Sequence, residues 1–162
     1  MSSACQTQLP PDYSRLMPVR LRTSEASETW RSLLVAFTTV NGMLADELYA
    51  ETGLQLEWYE ILLMLSQAPD GAMRPSELAD NRHLSRSGAT RLIDRMEREE
   101  LVERRACEAD GRGNLVTITP SGEETFRKAG RVHLRGIEEH VGSHLSPEDM
   151  AGLRQGLTKL AS

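Results

Sequence analysis

The sequence predicts a mainly α-helical fold that carries one small β-hairpin, and two patterns lead to this class. After residue 23, apolar side chains recur at spacings of three and four residues over most of the chain, as in helices with one buried face. Between residues 101 and 119, two short apolar runs instead flank a polar loop with two glycines, which is typical of a hairpin. The length of 162 residues suits one domain, or two very small ones.

Composition excludes several classes of protein. The formal net charge is −5 and 39% of the residues are apolar, so the chain does not resemble proteins that coat nucleic acid or membranes by bulk charge. No apolar run exceeds the five residues of Ile61 to Leu65, which is too short for a transmembrane helix, and residues 1–23 lack the apolar segment of a secretory signal. Cys5 and Cys107 form no CxxC pair. We therefore expect a cytoplasmic protein with no membrane partner and no cofactor.

An arm and two helices are predicted for the first part of the chain. Residues 1–23 contain three prolines and no sustained period, which favours a disordered or docked arm. The first helix should begin near Ser24 or Ser27 and end at Gly53. Its apolar stripe comprises Trp30, Leu33, Leu34, Phe37, Val40, Leu44 and Leu48. The second helix, 56–67, is apolar on most sides and is expected at the buried centre of the fold.

Start signals place the remaining helices. Pro75 suits the first turn of a short helix, and Ser85 is a predicted N-cap for a longer helix that ends near Glu99. Pro120 should begin a long helix. Ser146 is followed by proline and by an acid at the third position, which is a strong signal for the start of the last helix.

A short helix, a tight turn, a longer helix and a hairpin form a winged helix-turn-helix. The second helix of such a unit fits the major groove of DNA, and its N-terminal residues reach base edges. The strands are expected at 101–102 and 115–119, and Arg112 lies between glycines in the loop, where its guanidinium would enter the minor groove. The predicted DNA contacts on the helices are Arg74, Ser76, Ser85, Arg86, Ser87, Thr90, Arg91 and Arg95.

The distribution of charge supports this interpretation. Residues 82–112 carry a net charge of +1, whereas the rest of the chain carries −6. One alternative is a solvated helix face in which the arginines pair with Asp94, Glu97 and Glu99. Another alternative is a winged helix that binds a protein partner. Five arginines against two acids across 82–98 favour DNA over both.

These motifs together resemble the MarR family of transcriptional regulators. The resemblance lies in LSRSGATRLIDRMEREELVERR (84–105), in Asp110-Gly-Arg112 and in LVTITPSG (115–122). It implies that Ser85 to Arg95 corresponds to the recognition helix. It also implies that Asp110 and Arg112 are the wing pair, in which the Asp orients the wing and the Arg reaches the minor groove.

The resemblance further implies an assembly and a mode of action. It divides the chain into dimerisation helices at 24–55 and 120–162 and a DNA-binding domain at 56–119, with 1–23 unassigned. Two such domains in a homodimer would straddle a pseudo-palindromic operator in double-stranded DNA. Members of the family usually repress nearby genes and leave DNA when a small, often aromatic, ligand binds.

One position departs from the family pattern. Glu100 stands where the family commonly has a glycine after the recognition helix. If the backbone there is left-handed, a residue other than glycine costs on the order of 1 kcal/mol.

The sequence leaves the effector open. Trp30, Phe37, Trp58 and Tyr59 lie on the two helices that flank the family's pocket, and they could stack on an aromatic ligand. Packing in the core or in a dimer interface explains the same aromatic residues and is the more common role of such a stripe.

Two other means of control are less favoured. Cys5 and Cys107 would have to act as accessible thiolates in a redox-responsive regulator, yet neither lies where the family's peroxide sensors keep theirs. A metal-responsive regulator would use His133, His140 and His144, although Gly142 interrupts that helix. No phosphate loop, GxSxG motif or convincing acid–base pair is present, so we do not expect an enzyme.

Overall fold

The chain divides into two units along its sequence. A computed structural model describes residues 24–82, 84–106 and 114–162. One unit ends at Gly42 and the other is Met43–Ser162.

Helix α1 (Glu25–Thr52) begins in the first unit and ends in the second. Its start is marked by Ser24, whose hydroxyl accepts a hydrogen bond from the N–H of Ser27 at 3.2 Å. Its end is marked by Gly53, which has a φ of +72° and so adopts a left-handed backbone at no steric cost. Both predicted boundaries are confirmed.

The other elements all belong to the second unit. They are α2 (Leu56–Gln67), β1 (Ala72–Met73), α3 (Pro75–Asn81), α4 (Arg86–Arg98), β2 (Val102–Ala106), β3 (Asn114–Ile118), α5 (Pro120–Ile137) and α6 (Pro147–Ala161). The four start signals at Pro75, Ser85, Pro120 and Ser146 each coincide with the beginning of a helix. None of the helices described combines the length and the hydropathy that a bilayer span requires.

The hairpin is part of a three-stranded antiparallel sheet in the order β1-β3-β2. Val116, in the middle of β3, pairs with Met73 of β1 and with Arg104 of β2. The sequence pattern does not predict β1, because two residues are too few to show alternation. The first predicted hairpin strand is present, but its bounds are wrong: Leu101 precedes β2, and the strand continues from Val102 to Ala106 through charged residues.

Helix α2 lies at the centre of the core, as predicted. Ile61, Leu62 and Leu65 are all buried, and they belong to one cluster with Leu48 of α1 and Val116 of β3. The inner face of α4 joins the same cluster through Leu92, Ile93 and Met96. Helix α4 is therefore anchored on one side, and its opposite side faces solvent.

The end of α5 differs from a simple helix terminus. The chain continues from Ile137 into a π-helical turn, Glu138–Gly142, closed by a hydrogen bond from the N–H of Ser143 to the carbonyl of Glu138 at 2.8 Å. Gly142 is the last residue of this turn, so the predicted interruption of the helix is confirmed. Helix α6 then starts with the expected capping box between Ser146 and Asp149.

Candidate nucleic-acid interface

Helices α3 and α4 form the helix-turn-helix that the sequence predicts. The N–H of Leu84 donates to the carbonyl of Ala79 at 2.9 Å, which holds the chain in a tight turn between the two helices. Leu78 and Ala79 of α3 are buried, and α3 packs against α4. The orientation of α4 is therefore set by its packing on α3 and on the core.

The N-terminus of α4 is capped by Ser85. Its hydroxyl accepts a hydrogen bond from the N–H of Gly88 at 3.1 Å and lies 3.2 Å from the hydroxyl of Ser87. Thr90 donates its hydroxyl proton to the carbonyl of Arg86 at 2.9 Å, so it can approach DNA only as an acceptor. A capped helix N-terminus is favourable for a phosphate, because the first amides and the helix dipole point towards it.

The outward side of α4 carries an arginine face, by which we mean Arg86, Arg91, Arg95 and Arg98. All four are exposed, and the side chains opposite them are buried in the core. A shallow groove of about 510 Å³ runs along this face and is lined by Gly88, Arg91, Asp94, Arg95 and Arg98. Guanidinium groups in this arrangement can pair with phosphates or with guanine edges.

The acids of α4 do not pair with the arginine face. Asp94 and Glu97 both form ion pairs with Arg104 of β2. Within the described ranges, no ion pair joins an arginine of this face to an acid. Arg98 donates from Nε to the backbone carbonyl of Asp94 at 3.2 Å. The alternative of a self-neutralised helix face is therefore not what the structure shows.

The predicted contacts on α3 lie at its beginning. The N–H of Arg74 donates to the carboxylate of Glu77 at 2.6 Å, and Pro75 occupies the first turn. Ser76 is exposed. The start of α3 is thus accessible to a phosphate, and both assignments stay predictions.

The tip of the wing lies outside the described residues. Strands β2 and β3 pair as far as Ala106 and Asn114, and the loop that joins them contains Asp110, Arg112 and Cys107. The predicted roles of these residues are therefore not tested by the structure, and the same holds for Cys5 and the arm 1–23.

Sequence reasoning missed Arg104. A usable signal exists, because alternation along a strand places Arg104 on the same face as the buried Val102, and that face is the one that packs against α4. Its side chain is only 22% exposed. Composition alone does not distinguish this partly buried arginine from the other arginines of the chain.

The four aromatic residues predicted for a ligand are found in both units. Trp30 and Phe37 are exposed residues of the first unit. In the second unit, Tyr59 is buried and stacks on Phe126, with 5.4 Å between ring centroids. The indole N–H of Trp58 is buried and finds no acceptor in the described part of the chain. A ligand-binding role for the four stays a prediction.

The three histidines considered for a metal have separate contacts. His133 lies against the ring of Tyr59, with 4.7 Å between centroids, and burial lowers its pKa while the charge of Glu60 opposes that shift. His140 contacts Glu47 with Nε2 at 2.6 Å, and His144 contacts the hydroxyl of Ser143. The described residues contain no cluster of three or more histidine, cysteine or acidic side chains with the geometry of a metal site.

Two further clefts lie near the sheet. The larger, about 690 Å³, is bounded by α2, β1 and the start of α3. The smaller, about 420 Å³, lies between the end of α2, the strands and the first turns of α5. None of the four predicted ligand contacts lines either cleft.

Comparison with known proteins identifies relatives for this architecture. Residues 52–113 match a family model described as "MarR family". The chain is 33% identical to AbsC, a MarR family transcriptional regulator from Streptomyces coelicolor. Its structure superposes with a TM-score of 0.76 over 85% of this chain and 93% of that one.

Two other relatives are informative. Sco3205 from Streptomyces coelicolor, a MarR family transcriptional regulator whose structure was solved in complex with DNA, is 28% identical. The TM-score is 0.77, and the match covers 88% of this chain and 89% of that one. YfiV from Bacillus subtilis, described as an uncharacterized HTH-type transcriptional regulator, is 26% identical over 85% of this chain and 84% of its own length.

Proposed function

Because the chain belongs to the MarR family of DNA-binding transcriptional regulators, we propose that it is a homodimeric repressor. In this proposal the dimer binds a pseudo-palindromic operator and leaves it when a small ligand binds. The observation that carries the proposal is the arginine face of α4, which presents four exposed guanidinium groups while the acids of the same helix are paired elsewhere. A face of this kind gains affinity from phosphates and specificity from base edges.

The contacts divide by position along α4. Arg86 and Ser87, in the first turn, are placed to hold a phosphate at the helix N-terminus. Arg91 and Arg95 line the groove further along, where a helix in the major groove meets base edges. Thr90 lies between these two groups of residues and accepts from a base or a bridging water. Arg91 is therefore our candidate for base selection, and Arg86 for positioning.

Exposed apolar side chains support a homodimer. On α1, Trp30 and Phe37 are 60% and 65% exposed, and they lie seven residues apart on one face of the helix. On α6, Leu153, Leu157 and Leu160 are exposed at spacings of four and three. Rows of exposed apolar residues mark contact surfaces. We propose that a second copy of the chain covers both rows.

Trp58 and Tyr59 support an aromatic effector. The indole N–H of Trp58 has no acceptor among the residues that the structure describes, and buried polar groups normally have a partner, so an acceptor on a ligand would complete it. Next to Trp58, Tyr59 packs against Phe126 and His133, so the side chains around Trp58 already form an aromatic cluster, which suits an aromatic ligand. The family's usual response to phenolic or other aromatic compounds agrees with this class.

The first experiment is the selection of bound duplexes from a random DNA pool. The selected duplex is then titrated by fluorescence anisotropy at two salt concentrations, with a scrambled duplex of equal length as control. The mass of the free protein and of the complex is measured by light scattering. Small aromatic acids and phenols are finally tested for release of the labelled duplex.

Each part of the proposal has its own outcome. An enriched palindrome with half-sites about one helical turn apart and a steep loss of affinity with salt supports operator binding by a dimer. Failure to enrich any sequence contradicts it and favours a protein partner for the winged helix. A monomeric mass contradicts the dimer, and a panel in which no compound releases DNA contradicts the aromatic effector.

A further inference from the structure

Asp94 has an unusual position for a residue of a DNA-binding helix. It lines the groove on the arginine face together with Arg91, Arg95 and Arg98, and it is the one acid among the residues that line this groove. Its side chain is 48% exposed. An unpaired carboxylate there would face the phosphates of a bound duplex and oppose its approach.

Arg104 of β2 removes this unfavourable charge by pairing with Asp94. Its Nη2 pairs with Oδ1 of Asp94 and its Nη1 pairs with Oε2 of Glu97, one helical turn further along α4. The backbone N–H of Arg104 also donates to Oε1 of Glu97 at 3.3 Å. One guanidinium on the wing strand β2 therefore holds both acids of the recognition helix.

The two ion pairs of Arg104 are partly buried. The side chain of Arg104 is 22% exposed, less than that of either acid. A partly buried guanidinium that contacts two carboxylates through two different nitrogens has defined geometry and is screened less by salt than an exposed pair. The pairing also links β2 to α4, so it holds the base of the wing against the recognition helix.

We propose that Arg104 is a positioning residue for DNA binding. It neutralises Asp94 and Glu97 and holds them towards β2, so the arginine face enters the groove without an opposing charge, and Arg104 itself does not touch DNA. This inference rests on the proposed operator binding and adds to it a residue that acts through the recognition helix.

Arg105 provides a matched control. It follows Arg104 on the same strand, but its side chain is 66% exposed and pairs with Glu103 of β2 itself. Alternation along the strand directs it to the other face of the sheet. Arg105→Met therefore removes the same formal charge from nearly the same place and leaves Asp94 and Glu97 paired.

The test measures affinity for the duplex that wild-type protein selects. Wild type, R104M, R105M and the triple variant R104M/D94N/E97Q are titrated by anisotropy over a series of salt concentrations, below the melting temperature of each. We expect R104M to bind about tenfold more weakly at low salt with a shallower salt dependence, because two negative charges now oppose the phosphates. We expect R105M to stay within about threefold of wild type, and the triple variant to return to that range.

The outcomes separate this inference from the function it rests on. Wild-type protein that binds no duplex overturns the proposed function and this inference with it. Wild-type binding together with undiminished affinity of folded R104M overturns the inference alone. A triple variant as weak as R104M also overturns it, because neutral partners would then fail to replace Arg104, as expected if Arg104 contacted DNA directly.

A second pair of variants applies if R104M does not fold. Arg104→Lys keeps the charge without the two-nitrogen geometry, and we expect it to bind within about threefold of wild type, since neutralisation is what matters. D94N/E97Q with Arg104 retained should bind at least as tightly as wild type. Weaker binding by either variant overturns the inference.

Discussion

Thr119 joins the start of α5 to the turn that follows α4, because its hydroxyl donates a hydrogen bond to the backbone carbonyl of Glu100. The same oxygen accepts from the N–H of Gly122 at 3.0 Å and so caps α5. The N–H of Thr119 donates to the carbonyl of Leu101 at 3.2 Å. The C-terminal end of α4 and the N-terminal end of α5 are therefore held together by one residue.

The first prediction concerns Glu100, which has a φ of +56° at this turn. The left-handed backbone anticipated from the family's glycine is thus confirmed, and we expect Glu100→Gly to raise the free energy of unfolding by about 1 kcal/mol. Glu99→Gly is the control, since Glu99 has a φ of −88°. Glycine there only raises the conformational entropy of the unfolded chain, so this variant should lose stability. Denaturant unfolding measures both variants. Loss of stability in Glu100→Gly would contradict the strain argument.

Much of the fold follows from local chemistry that the sequence displays. Ser85 and Ser146 cap helices through hydrogen bonds to residues three positions later, and Gly53 ends a helix by adopting positive φ. Such features depend on neighbours within one turn, so residue type and spacing are enough to predict them. The position of the arginine face follows from the same helical period.

Contacts between residues that are distant in the sequence could not be predicted from local patterns. Arg104 meets Asp94 and Glu97 only because β2 folds back on α4, and Thr119 reaches Glu100 across 19 residues. The short strand β1 exists only because β3 offers it a partner. These contacts depend on tertiary packing, which overrides local preference and leaves no periodic trace.

The second prediction concerns Gly122 in the first turn of α5. A Cβ at this position would collide with the carbonyl oxygen of Leu101 and lie 2.8 Å from a methyl carbon of Ile118. We expect Gly122→Ala to lower the free energy of unfolding by about 1–3 kcal/mol, because the backbone of the turn cannot move freely.

Gly130→Ala is its control in the same helix. The nearest atom to a Cβ there is the hydroxyl of Tyr59, at an ordinary 3.8 Å. Alanine should instead stabilise the helix by about 0.5–1 kcal/mol. Thermal unfolding of the two variants should therefore shift in opposite directions, and equal shifts would contradict close packing at Gly122.

The third prediction is a dependence of stability on pH. Burial lowers the pKa of His133 below its ordinary value of 6.5 in the folded protein, with the charge of Glu60 partly opposing the shift. As pH falls below about 7, the unfolded chain takes up a proton that the folded protein does not, so stability decreases until the folded pKa is reached. At higher pH neither state is protonated and the contribution is absent.

His133→Gln tests this prediction. Denaturant unfolding between pH 8 and pH 5 should show a smaller loss of stability for the variant than for wild type, because its side chain takes up no proton. His144→Gln, which changes an exposed histidine, serves as the control for the loss of a histidine outside the core. If His133→Gln and wild type lose stability in parallel, other groups cause the dependence.

The fourth prediction separates the roles of the arginines in DNA binding. Arg91 lines the groove on α4, so Arg91→Ala should weaken DNA binding and relax the base preference at the positions that Arg91 contacts. For a bidentate contact, the lost discrimination against a wrong base is about 1–3 kcal/mol. Arg112→Ala should weaken binding to all duplexes alike, as expected for a minor-groove contact in the wing. Arg98→Ala is the comparison within the arginine face. Arg98 lies in the last turn of α4, and its Nε donates to the carbonyl of Asp94, so we expect a smaller loss of affinity and an unchanged base preference.

Selection from a random pool and anisotropy titration, repeated for each variant, distinguish these roles. A broadened consensus with Arg91→Ala and an unchanged consensus with Arg112→Ala would assign base selection to α4 and positioning to the wing. Affinity that is unchanged in both variants would remove the groove-insertion model, since the two residues would then lie away from DNA. A loss with Arg98→Ala as large as that with Arg91→Ala would instead indicate attraction by general charge.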